Sequence, residues 1–192
     1  MQVKAMDHYC DIQLRPDPDF VPAVLMNALC SKLHRALVAQ PSLQLGISFP
    51  EYALTPRTLG NCLRLHGLYT ELTALQQSHW LSGMQDHVQL GAIQAVPATA
   101  QQVAIRRVQA KSSPERLAKR YAKRHQISES EALARYHAVK PEKLKLPFLT
   151  LNSQSTGQRF TLFLQQRKPK SHSVAGTFNR YGLSTSATVP WF

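Results

Sequence analysis

Residues 8–14, HYCDIQL, and residues 22–39, PAVLMNALCSKLHRALVA, decide how the first half of this chain folds. The first run alternates as a half-buried strand does and stops at Arg15-Pro16-Asp17-Pro18. The second places Leu25, Leu29, Leu33 and Leu37 four residues apart, a core stripe on a helix that runs to about Ala39. Pro22 opens it, because a missing N–H costs nothing in the first turn. Working outward, Leu43–Phe49 (LQLGISF) reads as a strand ending at Pro50, and Cys62–Leu68 (CLRLHGL) alternates again. Glu71–Met84 is helical in pattern with a break near Ser78, and Val88–Val96 is a last strand. The order β-α-β-β-α-β is the ferredoxin-like arrangement, two helices over an antiparallel sheet. It recurs in RNA-binding modules, although fold alone does not give function.

Composition shifts after Pro97-Ala98-Thr99, which places a domain boundary there. The expected class is α+β: a ferredoxin-like domain over residues 1–98, then a basic α+β RNA-binding domain over 99–192. In the second half, Val103–Val108 reads as a strand leading to a basic helix at about 113–125. A further amphipathic helix is expected from Ser128 to Val139. Strands follow at Phe148–Leu151 and Arg159–Gln165, separated by the polar loop Asn152–Gly157. Gly176 to Phe192 is the tail, ending in Val-Pro-Trp-Phe.

The charge is one-sided. The chain holds 23 Lys+Arg against 11 Asp+Glu, a net +12. Residues 1–104 contribute six basic and seven acidic side chains, residues 105–145 twelve and four, and residues 146–192 five and none. A charge serving solubility would be spread more evenly. Localised excess points to a polyanion, nucleic acid ahead of an anionic membrane, docking on the C-terminal half. The densest segment, RRVQAKSSPERLAKRYAKRH over residues 106–125, puts Arg116, Lys119, Arg120, Lys123 and Arg124 within roughly 140° of a helix circumference. Ser113-Pro114 is a good helix start, with Leu117, Ala118, Tyr121 and Ala122 on the other side. A solvated charged face is the plainer reading. It calls for interleaved acids in i,i+4 pairs, and after Glu115 this helix has none.

No run of 18 apolar residues exists, so a membrane span is not expected. MQVKAMDHYCD turns acidic where a secretory signal needs an apolar stretch, which points to the cytoplasm. Cys10, Cys30 and Cys62 are odd in number and widely spaced, suggesting buried thiols rather than a disulfide framework. The eight histidines show no HExxH or His/Cys cluster, so no metal site and no cofactor are implied.

A basic RNA-facing surface without a metal motif, a P-loop or a carboxylate pair leaves one economical chemistry. A histidine removes the proton from a ribose 2′-hydroxyl, which attacks the adjacent phosphate in line. Composition does not choose among eight histidines. His34 lies one residue past the leucine stripe, where a boundary histidine flanking the core is the plainer reading.

The chain resembles the CRISPR repeat endoribonucleases of type I-F systems. The resemblance begins at Met6-Asp7-His8-Tyr9, continues through Leu14-Arg15-Pro16-Asp17-Pro18 and reaches Lys32-Leu33-His34. It resumes at Arg107-Val108-Gln109-Ala110-Lys111-Ser112 and Pro114-Glu115-Arg116-Leu117. It is densest in Leu146-Pro147-Phe148, Ser153-Gln154-Ser155-Thr156-Gly157-Gln158 and Phe160. Tyr181-Gly182-Leu183-Ser184 and Val189-Pro190-Trp191-Phe192 close it.

The resemblance implies that His34 acts on the 2′-hydroxyl upstream of the scissile phosphate, that Ser153 holds that hydroxyl, and that Tyr181 orients the imidazole. Taken alone, a turn serine is the plainer reading of Ser153 and a core aromatic the plainer reading of Tyr181. The implied products are a 2′,3′-cyclic phosphate and a 5′-hydroxyl, formed without a divalent metal. Arg107 and Gln109 take the positions that read base edges at the foot of the repeat hairpin, guanine and adenine edges respectively. Two apart on a presumed strand, they face the same side. Phe160 would stack on the terminal base pair, and Ser155 and Thr156 would contact the backbone near the cut. Implied partners are CRISPR precursor RNA, the crRNA hairpin, and other subunits of the type I-F surveillance complex, with no membrane.

Two departures stand out. Residues 1–5 precede the position where chains of the family usually start. The family's helix is Arg-rich, whereas Lys119 and Lys123 here alternate with Arg120 and Arg124, and lysine lacks the bidentate fork. This helix is therefore expected to grip phosphates more than to read bases. The expected active site lies between the two halves. The rival reading is a non-catalytic subunit that caps a guide RNA hairpin with the same surface, and a ribosomal-type basic protein is a more distant one.

Overall fold

The computed structural model describes residues 6–110, 114–136, 143–153 and 156–192. Strand β1 (His8–Leu14) sits inside the main sheet and obeys its alternation, burying Cys10, Ile12 and Leu14. Helix α1 (Pro22–Ala39) buries the whole leucine stripe together with Met26, Cys30 and Ala36. Strand β2 (Gly46–Ser48), the hairpin β3 (Ala53–Leu54) and β4 (Arg57–Thr58), strand β5 (Cys62–Gly67) and helix α2 (Tyr69–Gln77) follow. Strands β6 (Val88–Leu90) and β7 (Gln94–Ala95) complete the first half.

β1 pairs antiparallel with β5, from His8 opposite Gly67 to Gln13 opposite Cys62, and with β6 and β7. β2 joins antiparallel to β5, giving the order β2-β5-β1-β6. Three expected elements are shorter than their patterns. Only Gly46–Ser48 of the Leu43–Phe49 run is strand, because the Leu43 N–H bonds back to the Gln40 carbonyl at 3.1 Å and a turn begins at Phe49. The second helix stops at Gln77, where Ser78 Oγ donates to the Leu75 carbonyl at 2.6 Å and His79 adopts φ +50°. The last strand breaks at Gly91, whose N–H donates to the Asp11 carbonyl at 2.8 Å; a Cβ there would lie 3.1 Å from that oxygen.

In the second half, strands β8 (Gln101–Val103) and β9 (Ile105–Val108) replace the single strand expected at Val103–Val108. Helices α3 (Pro114–His125) and α4 (Glu129–Tyr136) precede strands β10 (Phe148–Asn152), β11 (Arg159–Gln166) and β12 (Val189–Trp191). The split at Ala104 lets β8 pair with β12 while β9 joins a β10-β11-β9 sheet. Part of the expected tail is thus a strand. Four helices and antiparallel sheets among the described residues make the chain mixed α and β.

Residues 1–108 and 146–192 form one compact unit and residues 109–145 a second. The boundary expected near residue 98 falls inside the first unit. The reason is a shared core: Val103, Ile105, Leu149, Leu164 and Val189 cluster with Ile12, Leu29 and Leu63. α1 joins the two sheets, and its Asn27 Oδ1 accepts the Thr150 N–H at 2.9 Å. Arg64 ties the chain end to the main sheet. It grips Asp11 through Nε and Nη2 at 2.7 and 2.8 Å, donates to the Phe192 carbonyl at 3.1 Å, and lies over the Tyr9 and Phe192 rings.

In the second unit, α3 and α4 close a small seam of Ala118, Ala122 and Ala132, with Tyr121 edge-on to Tyr136. Ser128 and Glu131 form a reciprocal cap that starts α4. The cap expected from Ser113 lies outside the described residues. All three cysteines are free and buried, and burial pushes their thiols up to about 11 for Cys10 and about 12 for Cys30 and Cys62. No described helix is long and apolar enough to cross a membrane.

Candidate active site

One turn past the middle of α1, His34 leaves the leucine stripe by one residue and is half-buried rather than inside the core. Its Nδ1 lies 2.9 Å from the Arg180 carbonyl oxygen. A carbonyl can only accept, so Nδ1 carries the proton, and in the neutral ring Nε2 keeps a lone pair. Tyr181 stacks on the same imidazole with ring centroids 4.0 Å apart and planes 2° from parallel.

A self-braced turn delivers both contacts. Asn179 Oδ1 accepts the N–H groups of Tyr181 and Leu183 at 2.8 and 3.2 Å, and the Gly182 N–H returns to the Asn179 carbonyl at 2.9 Å. Gly182 has φ +70°, and its carbonyl accepts the Ile47 N–H at 3.0 Å. A Cβ at this position would sit 2.6 Å from Ile47 Cγ2. Only glycine lets the turn dock this closely on β2. Asn179, Gly182 and the Arg180 carbonyl were not among the expected site residues, although Asn and Gly bracketing four residues is a turn signal.

His34 and Tyr181 share a cleft of about 460 Å³ with Val38, Arg107, Asn152, Ser153 and Phe160. The sequence spreads these residues over both halves of the chain, and all of them belong to the first compact unit. No carboxylate or thiol lines the cleft among the described residues. Arg107 is exposed on β9, opposite Leu164 of β11. Burial pushes the Tyr181 phenol up while the Arg107 charge pulls it the other way, and the net shift is upward. The phenol therefore stays neutral near pH 7.

Ser153 directly follows β10; its N–H donates to the Gln158 carbonyl and its own carbonyl accepts the Gly157 N–H, each at 2.8 Å. The Thr156 N–H points to Ser153 Oγ at 3.3 Å, which ties Thr156 to the cleft wall. Phe160 lies on β11 opposite Leu151 and packs partly against the core. Ser155 lies outside the described residues. β9 ends at Val108, one residue short of Gln109, so the presumed strand does not carry both Arg107 and Gln109. Gln109 is exposed and begins the second unit. Within that unit, Arg116, Lys119, Arg120, Lys123 and Arg124 are all exposed on α3, opposite the buried alanines.

A family model described as CRISPR-associated protein (Cas_Csy4) matches residues 9–192. The CRISPR-associated endonuclease Cas6/Csy4 of Pseudomonas aeruginosa (strain UCBPP-PA14) is 48% identical over 187 residues, covering 97% of this chain and 100% of the relative. The protein of the same name from Escherichia coli (strain UTI89 / UPEC) is 40% identical over the same length and coverage.

Proposed function

The chain belongs to the Cas_Csy4 family, and from that premise we propose that it is a CRISPR RNA endoribonuclease cutting at the 3′ base of the repeat hairpin by metal-independent attack of a 2′-hydroxyl. The observation that carries the reading is the state of His34. Its Nδ1 proton is committed to the Arg180 carbonyl, so Nε2 is the basic atom. The names of the relatives supply the substrate class.

Nε2 of His34 takes the proton of the 2′-hydroxyl, which Ser153 holds in line. The 2′-oxygen bonds to phosphorus, the bond to the 5′-oxygen breaks, and that oxygen takes a proton from solvent. The products are a 2′,3′-cyclic phosphate and a 5′-hydroxyl. Tyr181 keeps the imidazole plane fixed, which restricts the angular freedom the base would otherwise lose on reaction. Phe160 stacks on the last base pair, Arg107 reads a base edge beside it, and Gln109 and Thr156 add polar contacts. Arg116, Lys119, Arg120, Lys123 and Arg124 hold phosphates. The enzyme then retains the hairpin product and joins the type I-F surveillance complex. A ferredoxin-like reading of the main sheet is supported by its order and by the two helices packed on it.

The test is incubation with repeat RNA in EDTA, beside the same RNA carrying a single 2′-deoxy nucleotide upstream of the cut. The expected result is cleavage of the first and none of the second. Tight binding with no cleavage of either RNA would leave the rival reading, a hairpin-capping subunit.

A further inference from the structure

Beside the catalytic cleft, the far flank of α1 forms a second one of about 250 Å³, and nothing in the proposed reaction uses it. Lys32, Arg35 and Ala39 of α1, with Gln40 just past its end, face Ser78 and Trp80 of the turn after α2 across it. The wall is built rather than incidental, because Lys32 Nζ donates to the Ser82 carbonyl at 2.6 Å and pins that turn to the helix. Trp80 is half-buried, with one side packed against the core. Arg35 is exposed and has no hydrogen bond or ion pair among the described residues. No acid lines the cleft among the described residues.

A flat indole beside two cations and small polar groups is the arrangement that holds an unpaired base and its phosphates without reading sequence. The helix connects the two clefts. At 100° per residue, His34 and Val38 face the catalytic side while Arg35 and Ala39 follow immediately around the exposed surface. The arc between them is roughly 10 Å on a helix of ordinary diameter, a span of a few nucleotides.

We infer that the cleft between α1 and Trp80 binds the single-stranded RNA immediately 3′ of the scissile phosphate. This rests on the proposed function and goes beyond it. The strand that passes His34 is by definition the one carrying the scissile phosphate. Its upstream side is engaged by Phe160, Arg107 and Ser153. What continues over α1 is therefore the downstream flank, with a base on Trp80 and phosphates on Arg35 and Lys32. The flank adds affinity for the uncut precursor and is released with the 5′-hydroxyl product.

The test uses the full chain and hairpin RNAs blocked by a 2′-deoxy nucleotide upstream of the cut. Dissociation constants are measured for a hairpin ending at the cut, for one with six unpaired nucleotides added 3′, and for one with six added 5′. The 3′ extension is expected to tighten wild-type binding between roughly 5-fold and 100-fold. Arg35→Glu, a change at an exposed position, and Trp80→Ala should each remove most of that gain without changing affinity for the unextended hairpin. A 3′ extension that adds nothing overturns the inference, as does a gain that survives both variants. A gain confined to the 5′ extension assigns the cleft to the other flank and also overturns it. If the unextended hairpin is not bound at all, the functional reading falls and the inference falls with it.

Discussion

His34 and Tyr181 lie face to face, their ring centroids 4.0 Å apart and their planes 2° from parallel. The stack fixes the plane in which Nε2 points, while the Arg180 carbonyl fixes which nitrogen is protonated. These contacts separate the ring of Tyr181 from its hydroxyl as the useful part of the side chain. Tyr181→Phe should keep most of the cleavage rate. Tyr181→Leu should lower it by about tenfold, since an aromatic pair contributes about 0.5–1.5 kcal/mol beyond its buried area. Single-turnover cleavage of repeat RNA measures both. A Phe variant as slow as the Leu variant would place the function in the hydroxyl.

Gly182 is where the turn carrying Tyr181 meets β2. With φ +70° and Ile47 Cγ2 2.6 Å from any added Cβ, Gly182→Ala introduces both backbone strain and a clash. A loss of about 1–3 kcal/mol in stability is expected, read as a lowered Tm, together with slower cleavage. A variant that melts with the wild type would show that the turn docks less tightly than described here.

His66, on β5, is fully buried and accepts or donates through Nε2 to Ser48 Oγ at 2.8 Å, while its Nδ1 has no partner among the described residues. Burial, aided by the Arg64 charge, pushes its pKa down to about 3. Between the ordinary histidine value and that point, the unfolded chain binds a proton that the folded chain does not. Stability attributable to His66 is therefore complete above about pH 6.5 and falls by about 1.4 kcal/mol per unit as the pH drops below it. Unfolding midpoints from pH 4.5 to 7.5 should show a steeper decline for the wild type than for His66→Gln. Parallel profiles would contradict the assignment.

The two cationic surfaces should separate by salt. Lys123 is exposed on α3 and assigned to phosphate, so Lys123→Ala should weaken binding to all hairpins alike and reduce the salt slope by about one. Arg107 lines the cleft that holds His34, and Arg107→Ala should erode discrimination at one base pair, by about 1–3 kcal/mol. Binding isotherms over a salt series, on matched and single-substituted hairpins, distinguish the two. The opposite pattern would mean that the roles are exchanged.

Long periodic elements were legible in the residues. His8–Leu14 and Pro22–Ala39 stand where alternation and the leucine stripe put them, because each pattern repeats often enough to override local noise. Breaks were not. The kink at Gly91, the left-handed His79 and the split at Ala104 each depend on one backbone contact or on a partner strand distant in sequence. The expected domain boundary rests on a change in charge, which marks a surface, while the core of the first unit continues beneath it through Ile105 and Leu164. In the site, His34, Ser153 and Tyr181 came from family resemblance, since a lone histidine beside a core stripe carries little signal. The Arg180 carbonyl was invisible, because a backbone acceptor 146 residues from its donor leaves no trace in residue types.

The most direct test of the account is His34→Ala, with single-turnover cleavage of repeat hairpin RNA in EDTA and the dissociation constant for the same RNA measured in parallel. The account predicts cleavage reduced at least about 100-fold, the low end of what a general base contributes, with affinity within about twofold of wild type. Retention of metal-free cleavage by the variant would contradict the assignment of His34 as the base.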